Sequence, residues 1–138
     1  HLRKTRGSIV NIGSLVALMA QECATTYCAA KAGINGLTKS LAIEETRHGV
    51  RVNVVLPGNI MSYGMVEAAD ARPDGEEWLN WLASHQPSGR IGTNEEVGQL
   101  CLFLASDAAS YITGAEIIIS SGSELGYGVK YPLSWVKA

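Results

Sequence analysis

Three short runs rich in β-branched residues divide this chain, and their spacing limits the folds it can adopt. The runs cover residues 8–12, 50–56 and 116–120. They are almost continuously apolar rather than alternating, which is typical of strands covered on both faces and therefore of a parallel sheet. Parallel strands need long connections, usually helices, and both gaps are long enough to hold one. The sequence therefore predicts the order β-α-β-α-β, the pattern of a doubly wound α/β fold.

Both gaps carry helical patterns. The first predicts a helix over Thr25–His48, which Gly49 ends because glycine readily takes the left-handed conformation that closes a helix. Its apolar residues recur at helical spacing: Ile34, Leu37 and Leu41. The second predicts a helix capped by Asn94, since asparagine is favoured at this position. One face of that helix is expected to meet the core: Val97, Leu100, Cys101 and Leu104.

The stretch 63–89 does not fit the alternation of strands and helices. It is long, holds two prolines and several glycines, and carries Trp78 and Trp81 at places that look exposed. Long insertions of this kind are often lids or substrate-binding loops. The alternative, with equal weight, is a surface helical hairpin. The tail, residues 121–138, is rich in Gly, Ser and Tyr and is expected to be irregular.

Composition excludes several classes of function. The chain has 138 residues, 46% of them hydrophobic and 17% charged, which fits one globular domain at most. A net charge of -2 offers no basic field for nucleic acid. Three cysteines without a CxxC pair and three scattered histidines favour neither disulfides nor a zinc site, so we expect no metal.

No run is long and apolar enough for a membrane span and no signal pattern is present, which predicts a cytoplasmic protein. The start at His1 is interpreted as the edge of a fragment.

Three side chains form a candidate catalytic set. Tyr27 and Lys31 lie four residues apart at the start of the first predicted helix, so their side chains share a face. A phenol is a poor base at neutral pH, but a neighbouring ammonium favours the phenolate. Ser14 follows the first predicted strand, and the carboxyl ends of parallel strands border the ligand crevice of such sheets.

A YxxxK pair alone is weak support for this chemistry. With five tyrosines and five lysines, it arises by chance roughly one time in five, and the simpler interpretation is a solvated helix face. The combination is specific: a serine at a strand end thirteen residues before Tyr27, then a strand, then Pro57-Gly58. A serine hydrolase that uses Ser14 is disfavoured because the surrounding residues lack the GxSxG elbow.

Together with the motifs given below, this combination of Ser14, Tyr27, Lys31 and Pro57-Gly58 resembles the short-chain dehydrogenase/reductase family. The resemblance covers essentially the whole chain. The similarity implies the C-terminal part of a doubly wound, Rossmann-like parallel-sheet domain whose first half is missing. The motifs that carry it are Asn11-Ile12-Gly13-Ser14, Tyr27-Cys28-Ala29-Ala30-Lys31, Arg51-Val52-Asn53, Pro57-Gly58-Asn59-Ile60-Met61-Ser62, Arg90-Ile91-Gly92 and Ile112-Thr113-Gly114.

The resemblance implies a role for each matching residue. Ser14 would orient the substrate oxygen, Tyr27 would exchange the proton, and Lys31 would favour the phenolate of Tyr27 while bonding the nicotinamide ribose. The cofactor set would be Tyr27, Lys31, Pro57, Gly58, Ile60 and Ser62, with NAD as the expected cofactor and NADP as the alternative. The substrate set would be Gln21, Asn59, Met65 and Tyr127, whose simpler interpretation as loop and packing residues has nearly equal weight.

The chain also departs from the family pattern. Gly13 stands where serine is common, and Ser120-Ser121 replaces the usual Asp-Gly. No glycine-rich phosphate loop and no Asn-Asn-Ala-Gly segment occur in the 138 residues. We therefore expect these residues alone to be inactive, with the faces of the sheet uncovered at Ile9, Val10, Val52 and Val54.

The function that the resemblance implies is hydride transfer between a secondary alcohol and a nicotinamide cofactor. The alcohol would be a 17β-hydroxysteroid or a sugar such as L-fucose, and the whole enzyme would be a homotetramer. The alternative is a catalytically inactive fragment that docks onto intact subunits through the helix at Thr25–His48.

Overall fold

A computed structural model gives the fold, and it describes residues 1–125. Short runs of β-branched residues form strands, and the longer stretches between them form helices. In chain order the elements are α1 (Leu2–Thr5), β1 (Ser8–Ile12), a 3₁₀ turn (Leu15–Ala17), α2 (Thr25–Thr46), β2 (Arg51–Pro57), α3 (Tyr63–Asp70), α4 (Gly75–Ser84), α5 (Asn94–Ala105), a second 3₁₀ turn (Asp107–Ala109) and β3 (Glu116–Ile119).

The three strands form one parallel sheet in the order β1-β2-β3. Ile12 pairs with Val55 at one end of β1, and Pro57 pairs with Ile119 at the end of β2. Each strand lies within one residue of its predicted position at either end. The prediction of a parallel α/β sheet is therefore confirmed, and helical crossovers join its strands as expected.

The central strand β2 is covered on both faces. On one face Val52 packs with Ala42 of α2, and on the other Val55 packs with Leu104 and Ala109. Val52 and Val54 are 0% exposed, so the prediction that they would be uncovered is wrong. The chain's own helices supply both layers over β2, whereas Ile9 and Val10 of β1 are partly exposed.

The buried face of α2 is small and polar. It consists of Asn35, Thr38 and Ala42, and Thr38 accepts a hydrogen bond from Asn11 Nδ2 at 2.8 Å. Leu37 is 54% exposed although its helical spacing made it a candidate core residue. In contrast, α5 packs as predicted, with its four predicted core residues in the cluster around Val55.

The Arg51-Val52-Asn53 motif ties β2 to its neighbours in the fold. The Arg51 guanidinium donates to the carbonyl oxygens of Leu104 at 2.6 Å and Ser106 at 3.0 Å, at and just beyond the C-terminal end of α5. The Asn53 side chain donates to Ile112 O at 2.9 Å and accepts from Ala115 N at 3.1 Å. Both polar residues therefore have structural roles at the ends of neighbouring elements.

The chain separates into two compact units. The first contains His1–Pro57 and Glu95–Ile119, and the second contains Gly58–Asn94 and, of the described residues that follow, 120–125. Within the second unit, α3 and α4 form the helical hairpin that was the alternative interpretation of 63–89. Trp81 is 56% exposed, whereas Trp78 is half-buried against Arg72. Within residues 1–125, no helix is long and apolar enough to cross a membrane.

The hairpin depends on a glycine at the start of α4. A Cβ at Gly75 would overlap the carbonyl oxygen of Ala69 and lie 2.8 Å from its carbonyl carbon. Because backbone atoms cannot rotate away, we expect Gly75→Ala to cost about 3 kcal/mol in free energy of unfolding. Gly64→Ala, in α3 of the same hairpin, meets nothing within 4 Å and is expected to gain up to about 0.5 kcal/mol. Thermal unfolding of both variants tests this difference, and equal midpoints would contradict it.

Candidate active site

The end of β1 presents Ser14. Gly13 extends the ladder beyond the strand, since its N–H donates to Val55 O at 2.8 Å. Ser14 is extended, with φ of -165°, and precedes the 3₁₀ turn that begins at Leu15. Its Oγ accepts a long hydrogen bond of 3.4 Å from Val16 N. The backbone therefore fixes the position of this half-buried hydroxyl more than the hydroxyl's own bond does.

Tyr27 and Lys31 meet on the first turns of α2, as predicted from their spacing. The Lys31 Nζ lies 5.7 Å from the centre of the Tyr27 ring and donates to Ile12 O at 3.0 Å. The Tyr27 side chain is accessible, with the residue 48% exposed. The Ile12 carbonyl thus holds the Lys31 ammonium between the end of β1 and the Tyr27 ring.

Sequence reasoning missed the part that Ile12 plays. A backbone carbonyl leaves no signal in the side-chain pattern, and Ile12 reads only as the last apolar residue of a strand. The signal that could have found it is position: the last residue of β1 faces the helix that follows, within reach of a long side chain such as Lys31.

The loop after β2, which belongs to the second unit, contains a backbone N–H that is free among the described residues and a hydroxyl that can still donate. Ile60 bridges Gly92, where Met61 N donates to Gly92 O at 2.8 Å. The Ile60 N–H itself has no hydrogen-bond partner within residues 1–125. The Ser62 Oγ accepts from Met65 N at 3.3 Å and caps α3. A hydroxyl that accepts this bond still has its own hydrogen to donate.

A tight turn from Ser120 packs against Gly58 in the same unit. A Cβ at Gly58 would lie 3.0 Å from Ser120 Cβ, which explains the need for glycine there. The Ser120 hydroxyl donates to the Glu124 carboxylate and accepts from Gly122 N at 3.1 Å. Ser120 is only 8% exposed, so these bonds satisfy a buried polar group.

The expected substrate residues are dispersed over the described chain. Gln21 is exposed in the first unit, whereas Asn59 and Met65 are half-buried in the second. Tyr127 lies outside the described residues. No group of three or more His, Cys, Asp or Glu side chains that could hold a metal ion occurs among residues 1–125.

Comparison with known proteins decides the family. The sequence model of a family described as enoyl-(acyl carrier protein) reductase matches residues 1–124. Dehydrogenase/reductase SDR family member 6 of Danio rerio is 36% identical over 90% of this chain and 51% of its own length. The chain belongs to the short-chain dehydrogenase/reductase (SDR) family.

Two further SDR comparisons bear on function. L-fucose dehydrogenase of Mus musculus is 45% identical over 94% of this chain and 47% of the relative. The solved structure of ElxO with NADP bound superposes with a TM-score of 0.80 and 31% identity, over 90% of this chain and 49% of that one. This SDR chain therefore spans about half the length of the relatives it matches.

The turn at Ser120 stores strain that glycine would relieve. Ser121 has φ of 58°, a left-handed conformation that costs a residue with a Cβ roughly 1–2 kcal/mol. We expect Ser121→Gly to raise the free energy of unfolding by about 0.5 kcal/mol, because the greater freedom of glycine in the unfolded chain offsets part of the relief. Ser121→Ala keeps the strain and serves as the control in thermal unfolding. An equal gain in the alanine variant would disprove the explanation.

Proposed function

We propose that this chain is the catalytic, C-terminal half of an oxidoreductase subunit that transfers a hydride between a secondary alcohol and a nicotinamide cofactor. The observation that carries the proposal is the arrangement of Tyr27, Lys31 and the Ile12 carbonyl, with Nζ 5.7 Å from the ring centre and 3.0 Å from the oxygen. An exposed phenol beside an anchored ammonium is suited to exchanging a proton with a bound alcohol.

The proton chemistry falls to three side chains. Ser14 donates a hydrogen bond to the substrate oxygen at the carboxyl end of β1. Tyr27, as phenolate, takes the hydroxyl proton from the alcohol, or returns it to the oxygen of the ketone in the reverse direction. Lys31 stabilises the phenolate, and because the Ile12 carbonyl uses one of its three N–H donors, two remain for other partners.

A nicotinamide cofactor fits the donors that the chain offers. Lys31 would hold the ribose with its remaining N–H groups. The unpaired N–H of Ile60 and the hydroxyl of Ser62 would bond the carboxamide, with Pro57-Gly58 shaping the loop. When bound, the nicotinamide supplies the hydride acceptor or donor. NAD is our preferred cofactor, and the NADP-bound ElxO neighbour supports a nicotinamide cofactor without choosing between the two.

The proposed substrate is a sugar hydroxyl such as that of L-fucose, or a 17β-hydroxysteroid. The similarity to mouse L-fucose dehydrogenase supports the sugar. The steroid alternative rests on a resemblance to 17β-hydroxysteroid dehydrogenase type 14, also described as an L-fucose dehydrogenase. The residues that carry this resemblance are Pro57-Gly58-Asn59-Ile60 and the tail Glu124-Leu125-Gly126-Tyr127-Gly128. Gln21, Asn59, Met65 and Tyr127 would line the pocket, with 63–89 as its lid. We further propose a cytoplasmic homotetramer.

The test uses a complete subunit, in which a dinucleotide-binding half precedes residues 1–138. That half comes from a longer product of the same gene or, as a hybrid, from mouse L-fucose dehydrogenase. Oxidation of L-fucose and of a 17β-hydroxysteroid is followed by reduced-nicotinamide absorbance with NAD and with NADP. Activity that is lost in Ser14→Ala supports the proposal. Absence of turnover in a folded subunit favours the alternative, an inactive chain that docks onto intact subunits.

Tyr127 provides a separate test of the substrate pocket. We expect Tyr127→Ala in the complete subunit to raise KM for a bulky alcohol about tenfold, since an aromatic side chain contributes on the order of 1 kcal/mol to such contacts. The dissociation constant of the cofactor is expected to stay within twofold, and Tyr127→Phe to keep most of the affinity. Steady-state kinetics on several alcohols decide this. An unchanged KM for all of them would remove Tyr127 from the pocket.

A further inference from the structure

Gly13, the residue before Ser14, has no room for a side chain. A Cβ at Gly13 would lie 2.5 Å from Leu56 Cδ2 and 3.0 Å from Val54 Cγ2. Both of those side chains are 0% exposed and cannot swing into solvent. Gly13 is itself buried and donates to Val55 O, so its backbone is held between the ladder and the Leu56 side chain.

Leu56 lies on the face of β2 that meets the catalytic helix. Side chains alternate along a strand, so Leu56 and Val54 share a face with Val52, which packs against Ala42 of α2. Val55 points to the other face, toward Leu104 and Ala109. The methyl group of Leu56 nearest to Gly13 therefore fills the space at the point where the chain leaves the sheet toward Ser14.

The Ser14 hydroxyl has little else to fix it. Its Oγ is held by one bond of 3.4 Å from Val16 N, near the outer limit for a hydrogen bond. The position of that hydroxyl then depends on where the Gly13 backbone rests, and Leu56 packs directly against that backbone.

We infer that Leu56 is a positioning residue for Ser14, and that Gly13 and Leu56 are a complementary pair. By packing against the Gly13 backbone, Leu56 holds the end of β1 in the position that orients Ser14. The same contact leaves no space for a side chain at position 13, and therefore none for a second hydroxyl beside Ser14. The inference rests on the proposed role of Ser14 for its effect on catalysis, but the packing contact is independent of that role.

The test is a double-mutant cycle with Gly13→Ala and Leu56→Ala. Gly13→Ala alone is expected to lower the unfolding temperature of the complete subunit by about 5 °C, because the added methyl group overpacks the site. In the Leu56→Ala background the same change is expected to be neutral or to raise the unfolding temperature, because the new methyl group partly fills the cavity. Additive shifts in unfolding temperature would overturn the inference.

Two readouts separate positioning from general packing. Exchange of the amide hydrogen at position 13, which reports its bond to Val55 O, is expected to speed up at least tenfold in Leu56→Ala and to recover in the double variant. The kcat for alcohol oxidation is expected to fall about tenfold to a hundredfold in Leu56→Ala, at unchanged KM for the cofactor, and to recover likewise. Val55→Ala is the matched control, a buried truncation on the opposite face that is expected to lower the unfolding temperature but to leave kcat within twofold.

The outcomes distinguish this inference from the proposed function. If the wild-type subunit oxidises no alcohol, the proposed function fails, while the cycle and the amide exchange still decide the packing pair. If turnover is normal in the wild type and Leu56→Ala retains full kcat, the positioning role of Leu56 is wrong even though the oxidoreductase function stands.

Discussion

Replacing Tyr27 by phenylalanine in the complete subunit is expected to lower kcat by about 10²- to 10⁴-fold, the range that a positioned acid or base contributes. The substitution removes one oxygen and keeps the ring, so the contact with Lys31 at the ring face remains. Cofactor affinity should therefore change little. Steady-state kinetics together with a cofactor titration separate loss of proton transfer from loss of binding.

The control for this experiment is Tyr111→Phe, the same chemical change at a fully exposed tyrosine between the second 3₁₀ turn and β3. It should leave kcat within twofold. Lys31→Met removes the ammonium next to the Tyr27 ring and, on the proposed mechanism, should also lower kcat, with a weaker cofactor affinity that the Tyr27 variant does not show. Retention of more than about a tenth of the wild-type rate in Tyr27→Phe would remove Tyr27 from the role of base.

Most of the sheet could be predicted from the sequence because its signals are local. β-Branched runs marked each strand, and continuous apolar character indicated that β2 is covered on both faces. The helix α5 was equally clear, since the four apolar residues that recur at helical spacing, Val97, Leu100, Cys101 and Leu104, all meet the core. Where local preference and burial agree, sequence pattern identifies both the element and its inner face.

The inner face of α2 could not be predicted in the same way. Its buried residues include Asn35 and Thr38, which hydropathy places outside, while Leu37 and Ile43 are exposed. Thr38 is buried because Asn11 of β1 reaches it, a partner twenty-seven residues away that periodicity within one helix does not reveal. Val52 and Val54 were also expected to be uncovered because the first half of the family's domain is missing, but both are 0% exposed.

In the candidate site, too, contacts within one element could be predicted, whereas contacts between elements could not. The spacing of Tyr27 and Lys31 on one helix predicted their contact, since the helical repeat fixes which side chains are neighbours. The Ile12 carbonyl and the Leu56 methyl group could not be predicted, because they reach the site from other elements. The Ser120–Glu124 bond was missed for another reason: the sequence shows serine in place of the family's aspartate, and no pattern links it to the Glu124 carboxylate four residues later.

The 138-residue chain by itself is expected to bind both NAD and NADP more weakly than about 1 mM. The groups that would hold the cofactor, Lys31, Ile60 and Ser62, all serve its nicotinamide end. The pyrophosphate is normally held by backbone N–H groups at a helix start behind a glycine-rich turn, and the 138 residues contain no such turn.

The difference between dissociation constants of about 1 mM and about 1 μM is roughly 4 kcal/mol, and the pyrophosphate and adenosine contacts must supply it. Calorimetric titration of the chain with each cofactor, alongside the complete subunit, measures this difference directly. Lys31→Ala in the complete subunit is the control, since it should weaken binding through the nicotinamide end alone. Micromolar binding by residues 1–138 would mean that the chain holds the pyrophosphate through groups other than a glycine-rich turn, and that the division of the cofactor site between two halves is wrong.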